Sequence, residues 1–226
     1  MPRPDYPSPN FDQRPADAPI DHLVLHYTGM TSINAACSRL CDPGAKVSAH
    51  YLIDQDGQID ALVPETARAW HAGVSYWRGM SNLNDRSIGI EIDNPGHEHG
   101  YHAFPEPQII AVIALCHALL TRHPIPGRNI VGHSDIAPTR KSDPGELFPW
   151  QRLAAHGIGL WPTPATAEWP VSDLNTNLSI IGYQPDAAIE ARILAFQRRF
   201  LPDHCTGQVD PATITQAARV RRIFTP

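Results

Sequence analysis

One stretch of this chain concentrates side chains able to do chemistry. It runs from Ile130 to Gly145 and reads Ile-Val-Gly-His-Ser-Asp-Ile-Ala-Pro-Thr-Arg-Lys-Ser-Asp-Pro-Gly. An imidazole (His133), an ammonium (Lys141) and a carboxylate (Asp143) follow an apolar run within a turn-rich loop. A second imidazole, His26, ends another apolar run, Leu23-Val24-Leu25. Two histidines and one aspartate can hold a zinc ion and leave its fourth position open, which is the ligand count of a catalytic rather than a structural site. The chain holds 12 histidines, so most of them are surface or core residues. His26 and His133 stand apart because each closes a strand-like run, where a rigid scaffold presents functional groups. Asp143 taken alone reads equally well as a turn residue before Pro144-Gly145.

These side chains need a scaffold, and the patterning supplies one. Ile20–Tyr27, Val47–Asp54, Gln58–Val63 and Asn129–His133 read as strands, with Asp56-Gly57 as the turn of a hairpin between the second and third. Ser87–Asp93 alternates strictly, which puts Ile88, Ile90 and Ile92 on one face and Gly89, Glu91 and Asp93 on the other. Ser32–Leu40 is a short helix. Pro107–His123 is the clearest helix, with Ile109, Ile113, Cys116 and Leu120 as its apolar stripe. The expected fold is α/β, a central mixed sheet of about five strands flanked by helices. Residues 1–19 are Pro-rich and read as irregular.

The chain has 226 residues, more than one domain usually needs. A Pro-rich stretch, 161–172, reads as a linker between a domain of residues 1–160 and a small three-helix domain of residues 173–226. In the latter, Asp210 and Pro211 form a helix start, and Ile189, Ile193, Phe196 and Phe200 share one helix face. Hydrophobic content of 42%, charged content of 18% and a net charge of −5 describe an ordinary globular composition. They give no reason to expect nucleic acid as a partner. No apolar run reaches the roughly 18 residues of a membrane span. The four cysteines (Cys37, Cys41, Cys116, Cys205) form no Cys-x-x-Cys pair, so a thiolate metal site is unsupported and reduced thiols are expected. The N-terminal residues contain no apolar signal segment, which points to the cytoplasm, or to the periplasm or cell wall if a leader was removed. A monomer is expected.

Five motifs in order resemble the type 2 N-acetylmuramoyl-L-alanine amidases, zinc enzymes that cut peptidoglycan between the lactyl group of muramic acid and L-alanine. They are Val-Leu-His-Tyr (24–27), Val-Ser-Ala-His-Tyr-Leu-Ile (47–53), Arg-Ala-Trp-His-Ala-Gly (68–73), Asn-Asp-Arg-Ser-Ile-Gly-Ile-Glu (84–91) and Gly-His-Ser-Asp-Ile-Ala-Pro-Thr-Arg-Lys-Ser-Asp-Pro-Gly (132–145). The resemblance implies zinc on His26, His133 and Asp143, an acid/base carboxylate at Glu91 and a cationic stabiliser at Lys141. It also implies substrate contact by Arg68, which matches an arginine of amidases acting on soluble 1,6-anhydro-muropeptides. His71 is expected to line the cleft, and His50 to serve as a core or supporting hydrogen-bonding group. His97, His99 and His102 form a local cluster on what reads as a flexible loop. The segment after the linker resembles a small peptidoglycan-binding domain through Ile-Leu-Ala-Phe-Gln-Arg-Arg-Phe (193–200) and Gly-Gln-Val-Asp-Pro-Ala-Thr (207–213). The implied partner is peptidoglycan or a soluble muropeptide. A non-catalytic muropeptide-recognition module is the alternative, and loss of a ligand, of Glu91 or of Lys141 would favour it; all five are present. A zinc peptidase would carry His-Glu-x-x-His, which is absent.

Overall fold

The computed structural model describes residues 7–163 and 173–225. In chain order its elements are β1 (Phe11–Gln13), β2 (His22–Tyr27), α1 (Ile33–Cys41), β3 (Tyr51–Ile53), β4 (Ile59–Ala61), β5 (Ala67–Ala69), β6 (Tyr76–Trp77), β7 (Met80–Ser81), β8 (Ser87–Ile92), α2 (Glu106–Arg122), β9 (Ile130–Gly132), α3 (His133–Ile136), α4 (Trp150–Ala155), α5 (Leu174–Ile181), α6 (Ile189–Phe200) and α7 (Pro211–Phe224). Five strands form the central sheet in the order β4-β3-β8-β2-β9. It is mixed, because β3, β8, β2 and β9 pair in parallel and β4 pairs antiparallel with β3.

The two-residue period of the strands sorts their side chains onto two faces. Leu23 and Leu25 of β2, with Ile88, Ile90 and Ile92 of β8, pack in one cluster with Ile109, Val112, Cys116 and Leu119 of α2. On the opposite face, Val24 and Val131 join a second cluster with Trp77 and Leu83, completed by Leu178, Ile193, Phe196, Phe200, Val220 and Phe224 of the three C-terminal helices. The apolar face read for α6 is confirmed: Ile193, Phe196 and Phe200 are buried and Ile189 is partly so. That face does not close on its own helices alone. It shares one core with the sheet, across the boundary expected near residues 161–172, of which 164–172 lie outside the described residues. The α5 and α7 starts are capped as their sequences require, with Asp173 accepting from the Thr176 N–H and Asp210 from the Thr213 N–H.

Two expectations need correction. The N-terminal segment is not wholly irregular, since β1 pairs antiparallel with β5. Three residues are too few to show a period, and the pairing is anchored by a side chain. The buried Arg14 guanidinium donates to the carbonyls of Glu65, Asn84 and Ser87. The stripe of α2 is also rotated. Val112, Leu115 and Leu119 are buried with Ile109 and Cys116, whereas Ile113 and Leu120 are only partly covered. A helix this apolar has several candidate stripes, and the sheet it lies on selects among them.

The loop after β4 is locked by Glu65, which accepts from Tyr51 Oη (2.5 Å), Arg122 Nη2 (2.6 Å) and His123 Nε2 (2.5 Å). Burial alone would raise its carboxyl, but the hydrogen bonds from Arg122, Tyr51 and His123 outweigh it and hold the pKa at about 2. A carboxyl lowered on folding contributes stability above its unfolded value, near 4.5, and that contribution is lost as pH falls toward 2. We expect Glu65→Gln to melt below the parent at pH 7, with the gap closing between about pH 4.5 and 2. Thermal melts across that range check this, and a gap independent of pH would contradict it.

The shared core generates a second expectation. Phe196→Ala should cost about 3–5 kcal/mol and lower one cooperative transition for the whole chain. Calorimetry resolving two transitions, with only one shifted, would show instead that the helices fold apart from the sheet.

Candidate metal centre and cleft

The alternation that buries Val24, Gly89 and Val131 on one face carries His26, Glu91 and His133, each two residues on, to the C-terminal ends of three adjacent parallel strands. Ligands commonly sit at that end of a parallel sheet. His26 and Glu91 are direct cross-strand neighbours. Asp143 arrives from the loop after α3, whose turn is fixed by the Ser134 N–H donating to the Asp143 carbonyl (2.8 Å).

The three expected ligands meet. His26 Nδ1 lies 2.9 Å from His133 Nδ1, and each lies 3.0 Å from Asp143 Oδ2. All three residues are buried. The surrounding hydrogen bonds determine where the ring protons are. Ser87 Oγ donates to the Leu83 carbonyl (2.6 Å), so it accepts from His71 Nε2 at 3.1 Å. His71 Nδ1 is then an acceptor for His26 Nε2–H at 3.0 Å. His133 Nε2–H donates to the Ala72 carbonyl at 3.1 Å. Both Nδ1 atoms are therefore bare, and they face a carboxylate oxygen with no proton among them. Three lone pairs converging in a dry place are the electrostatic complement of a cation. Burial first, with His133 close by, pulls the His26 pKa down to about 4 and keeps that ring neutral. Burial alone would raise the Asp143 carboxyl, but the two histidines hold it well below the usual range.

Around this triad a cavity of about 420 Å³ is lined by Glu91, Lys141, His71 and Tyr27 among others. Glu91 Oε2 is out of contact with solvent and has no hydrogen-bond partner. Burial first, then the nearby Asp143, raises its carboxyl well above the ordinary value, with Lys141 opposing. Lys141 is exposed at the cavity mouth.

Of the two expected substrate contacts, His71 lines the cavity and Arg68 does not. His71 reaches the cavity floor, but it is buried and both ring nitrogens are engaged behind His26. Arg68 is absent from the cavity lining. It sits on β5, where Asp85 accepts from Nε (2.5 Å) and Asp12 from Nη1 (2.9 Å), and these pairs tie β1 to β5. A guanidinium with two carboxylates in reach is held by them, and nothing in the local sequence reveals Asp12 as one of them. His50 is a core residue, as expected: its Nδ1 accepts from the Gly89 N–H. The metal-capable group among the described residues is the triad alone. His97 is instead held by Glu146 and stacks on Tyr101.

Several supporting residues escaped sequence reasoning. Asn84 Oδ1 accepts from the backbone N–H groups of His71 and Ala72 and so holds the segment that backs both histidine ligands. Arg140 donates to the carbonyls of Ala72 and Val74 from the other side. Gly89 had a visible signal, since a glycine inside an alternating strand often marks a close approach. A Cβ there would lie 2.4 Å from the His71 ring.

An open triad of two imidazoles and a carboxylate, beside a second carboxylate with one buried, unpartnered oxygen and an exposed ammonium, is the equipment of a metal-assisted hydrolase. Comparison with known proteins narrows that class. Residues 16–146 match the family described as N-acetylmuramoyl-L-alanine amidase. The chain is 40% identical over 219 residues to N-acetylmuramoyl-L-alanine amidase AmiD of Escherichia coli K12, covering 84% of this chain and 78% of AmiD. The solved structure of AmiD from E. coli in complex with the substrate anhydro-N-acetylmuramic acid-L-Ala-D-gamma-Glu-L-Lys superposes with a TM-score of 0.80, at 37% identity, over 93% of this chain and 92% of that chain. AmpDh3 of Pseudomonas aeruginosa, solved with anhydromuramic pentapeptide, gives a TM-score of 0.83 at 32% identity, over 95% and 96% of the two chains. The 1,6-anhydro-N-acetylmuramyl-L-alanine amidase AmpD of Citrobacter freundii is 39% identical over 166 residues, 66% of this chain and 87% of AmpD. The chain belongs to the N-acetylmuramoyl-L-alanine amidase family and is an amide-hydrolysing enzyme.

The contact between Gly89 and His71 gives a sharp test. In Gly89→Ala the added methyl must displace the His71 ring, which releases His26. Amidase activity should fall about 10–100-fold, as on loss of a ligand's supporting partner. Activity within twofold of the parent would show that His71 does not position His26.

Proposed function

We propose that this chain is a zinc-dependent amidase that hydrolyses the bond between the lactyl group of muramic acid and L-alanine, with soluble 1,6-anhydro-muropeptides as its substrates. The observation that carries the reading is the triangle of bare Nδ1, Nδ1 and Oδ2 atoms, with Glu91 and Lys141 beside the same cavity. The preference for anhydro-muropeptides draws on the ligands held by AmiD and AmpDh3, which resemble this chain over nearly its full length.

The donor set suits zinc, which accepts nitrogen and carboxylate ligands in three-ligand catalytic sites. His26, His133 and Asp143 would hold it, and when bound it supplies a Lewis acid that acidifies water toward pKa 7 and polarises a carbonyl. Amide hydrolysis also needs a proton carrier, because water is a poor nucleophile and an amine a poor leaving group. Glu91 fills that place. Its unpartnered Oε2 takes the proton of the attacking water as the oxygen bonds to the lactyl carbonyl carbon. It then returns the proton to the alanine nitrogen as the carbon–nitrogen bond breaks. Lys141 brings a positive charge to the cavity mouth for the oxyanion that develops on the lactyl oxygen. The products are a lactyl carboxylate and a free peptide amine.

Glu91→Gln should lower kcat by about 10²–10⁴-fold while one zinc per chain is retained, since it removes the proton carrier and no ligand. Elemental analysis and turnover of a purified anhydro-muropeptide measure both. Near-parental turnover would remove Glu91 from the mechanism. Failure of the parent to bind zinc, or of His26→Ala with His133→Ala to abolish binding, would remove the triad. Parallel digestion of intact sacculi and anhydro-muropeptides tests substrate form, with faster turnover of the soluble fragment expected. Equal or faster release from sacculi would assign the enzyme to polymeric wall.

A further inference from the structure

The turn that delivers His133 is held from the C-terminal helices. Asp135, two residues past the ligand and 1% exposed, has all of its visible bonds directed to that purpose. Its Oδ2 accepts from the Gly132 N–H (2.9 Å), just ahead of His133, and from Arg199 Nη1 (2.7 Å) of α6. Its Oδ1 accepts from Tyr183 Oη (2.7 Å), which follows α5. Arg199 Nη2 also donates to the Ile130 carbonyl (3.0 Å) at the start of β9. Because β9 is the edge of the sheet, the Ile130 carbonyl and the Gly132 N–H have no further strand to bond. Arg199 and Asp135 take up both groups.

We infer that Arg199 and Tyr183 are positioning residues for the metal ligands, acting through Asp135 on the turn that carries His133 and receives Asp143. A buried carboxylate without a counter-charge is costly enough that the surroundings would rearrange or admit water. Arg199 supplies that charge in a fixed planar fork. It is 2% exposed and lies 4.2 Å from the Trp150 ring centroid. With its carboxylate held, Asp135 fixes the Gly132 peptide. The Gly132 backbone in turn packs so closely on Pro144 that a Cβ there would lie 2.7 Å from Pro144 Cδ. Ser134, in the same turn, donates to the Asp143 carbonyl. One carboxylate therefore sets both the imidazole of His133 and the loop carrying Asp143. The C-terminal helices are in this view a support for the catalytic centre, beyond any grip they have on glycan.

The inference rests on the reading of His26, His133 and Asp143 as zinc ligands, so the test separates the two. Zinc affinity of the full chain is measured by chelator competition, with melting temperature alongside. Arg199→Met keeps the apolar stem and removes the charge, and it should raise the zinc Kd about 10–100-fold. Arg199→Lys should recover part of that loss, because a point charge cannot serve Asp135 and Ile130 together. Tyr183→Phe, which removes one hydroxyl and so folds even where Arg199→Met does not, should raise Kd about 3–10-fold. The control is Arg192→Met. Arg192 is another buried α6 arginine, but its bonds run to Asn175 and Ser179 within the helical unit. It should lower melting temperature and leave Kd within twofold of the parent. Tyr183→Phe and Arg199→Met that leave Kd unchanged, or an Arg192→Met effect as large as theirs, would overturn the inference. A parent that binds no zinc would overturn the ligand reading itself, and the inference with it.

Discussion

Two unprotonated imidazole nitrogens and a carboxylate oxygen, held about 3 Å apart away from water, repel one another, and the rest of the molecule is arranged to keep them there. A chain of hydrogen bonds runs outward from His26 through His71 and Ser87 to the Leu83 carbonyl, and it fixes the direction of every proton along its length. His133 is fixed in the same sense by the Ala72 carbonyl. Both chains end on backbone, so neither can relax by turning a hydroxyl or a ring. The cost of that rigidity is a local electrostatic strain that a bound cation removes. A metal centre of this kind is specified as much by the groups behind its ligands as by the ligands.

Those groups explain what was legible in the sequence and what was not. His26 and His133 could be read because each closes a strand-like apolar run, and the strand ends survive folding as the place where side chains leave the core. Asp143 follows no period and was grouped with the two histidines by ligand count; Glu91 and Lys141 took their roles from the family resemblance, and the structure brings all three to the cavity. The partners of Arg68 could not be read locally, because they are Asp12 and Asp85, 56 and 17 residues away. No window of sequence shows such pairs. Asn84 and Arg140 act on backbone, which erases any chemical complementarity that a reader could search for. The strand Phe11–Gln13 was missed for want of length, and the α2 stripe because an apolar helix leaves the choice of face to the sheet.

The second face of the sheet shows how chemistry and stability divide one surface. Along β2 and β9, Val24 and Val131 are covered by the C-terminal helices, and His26 and His133, one pleat further on, enter the triad that could hold a metal. The same step that leads out of the core leads into the site. A helical unit laid over the first half of that face therefore sets where the dry core ends and where the cleft begins. Its edge falls at Asp135, the one carboxylate shared by a helix arginine, a loop tyrosine and the strand end. A small three-helix unit would bury little core alone, and here it borrows the sheet for that purpose. In return it supplies the counter-charge that lets a buried aspartate stand next to the turn that carries His133. The tail and the turn that carries His133 thus share the same contacts, through Arg199 and Asp135.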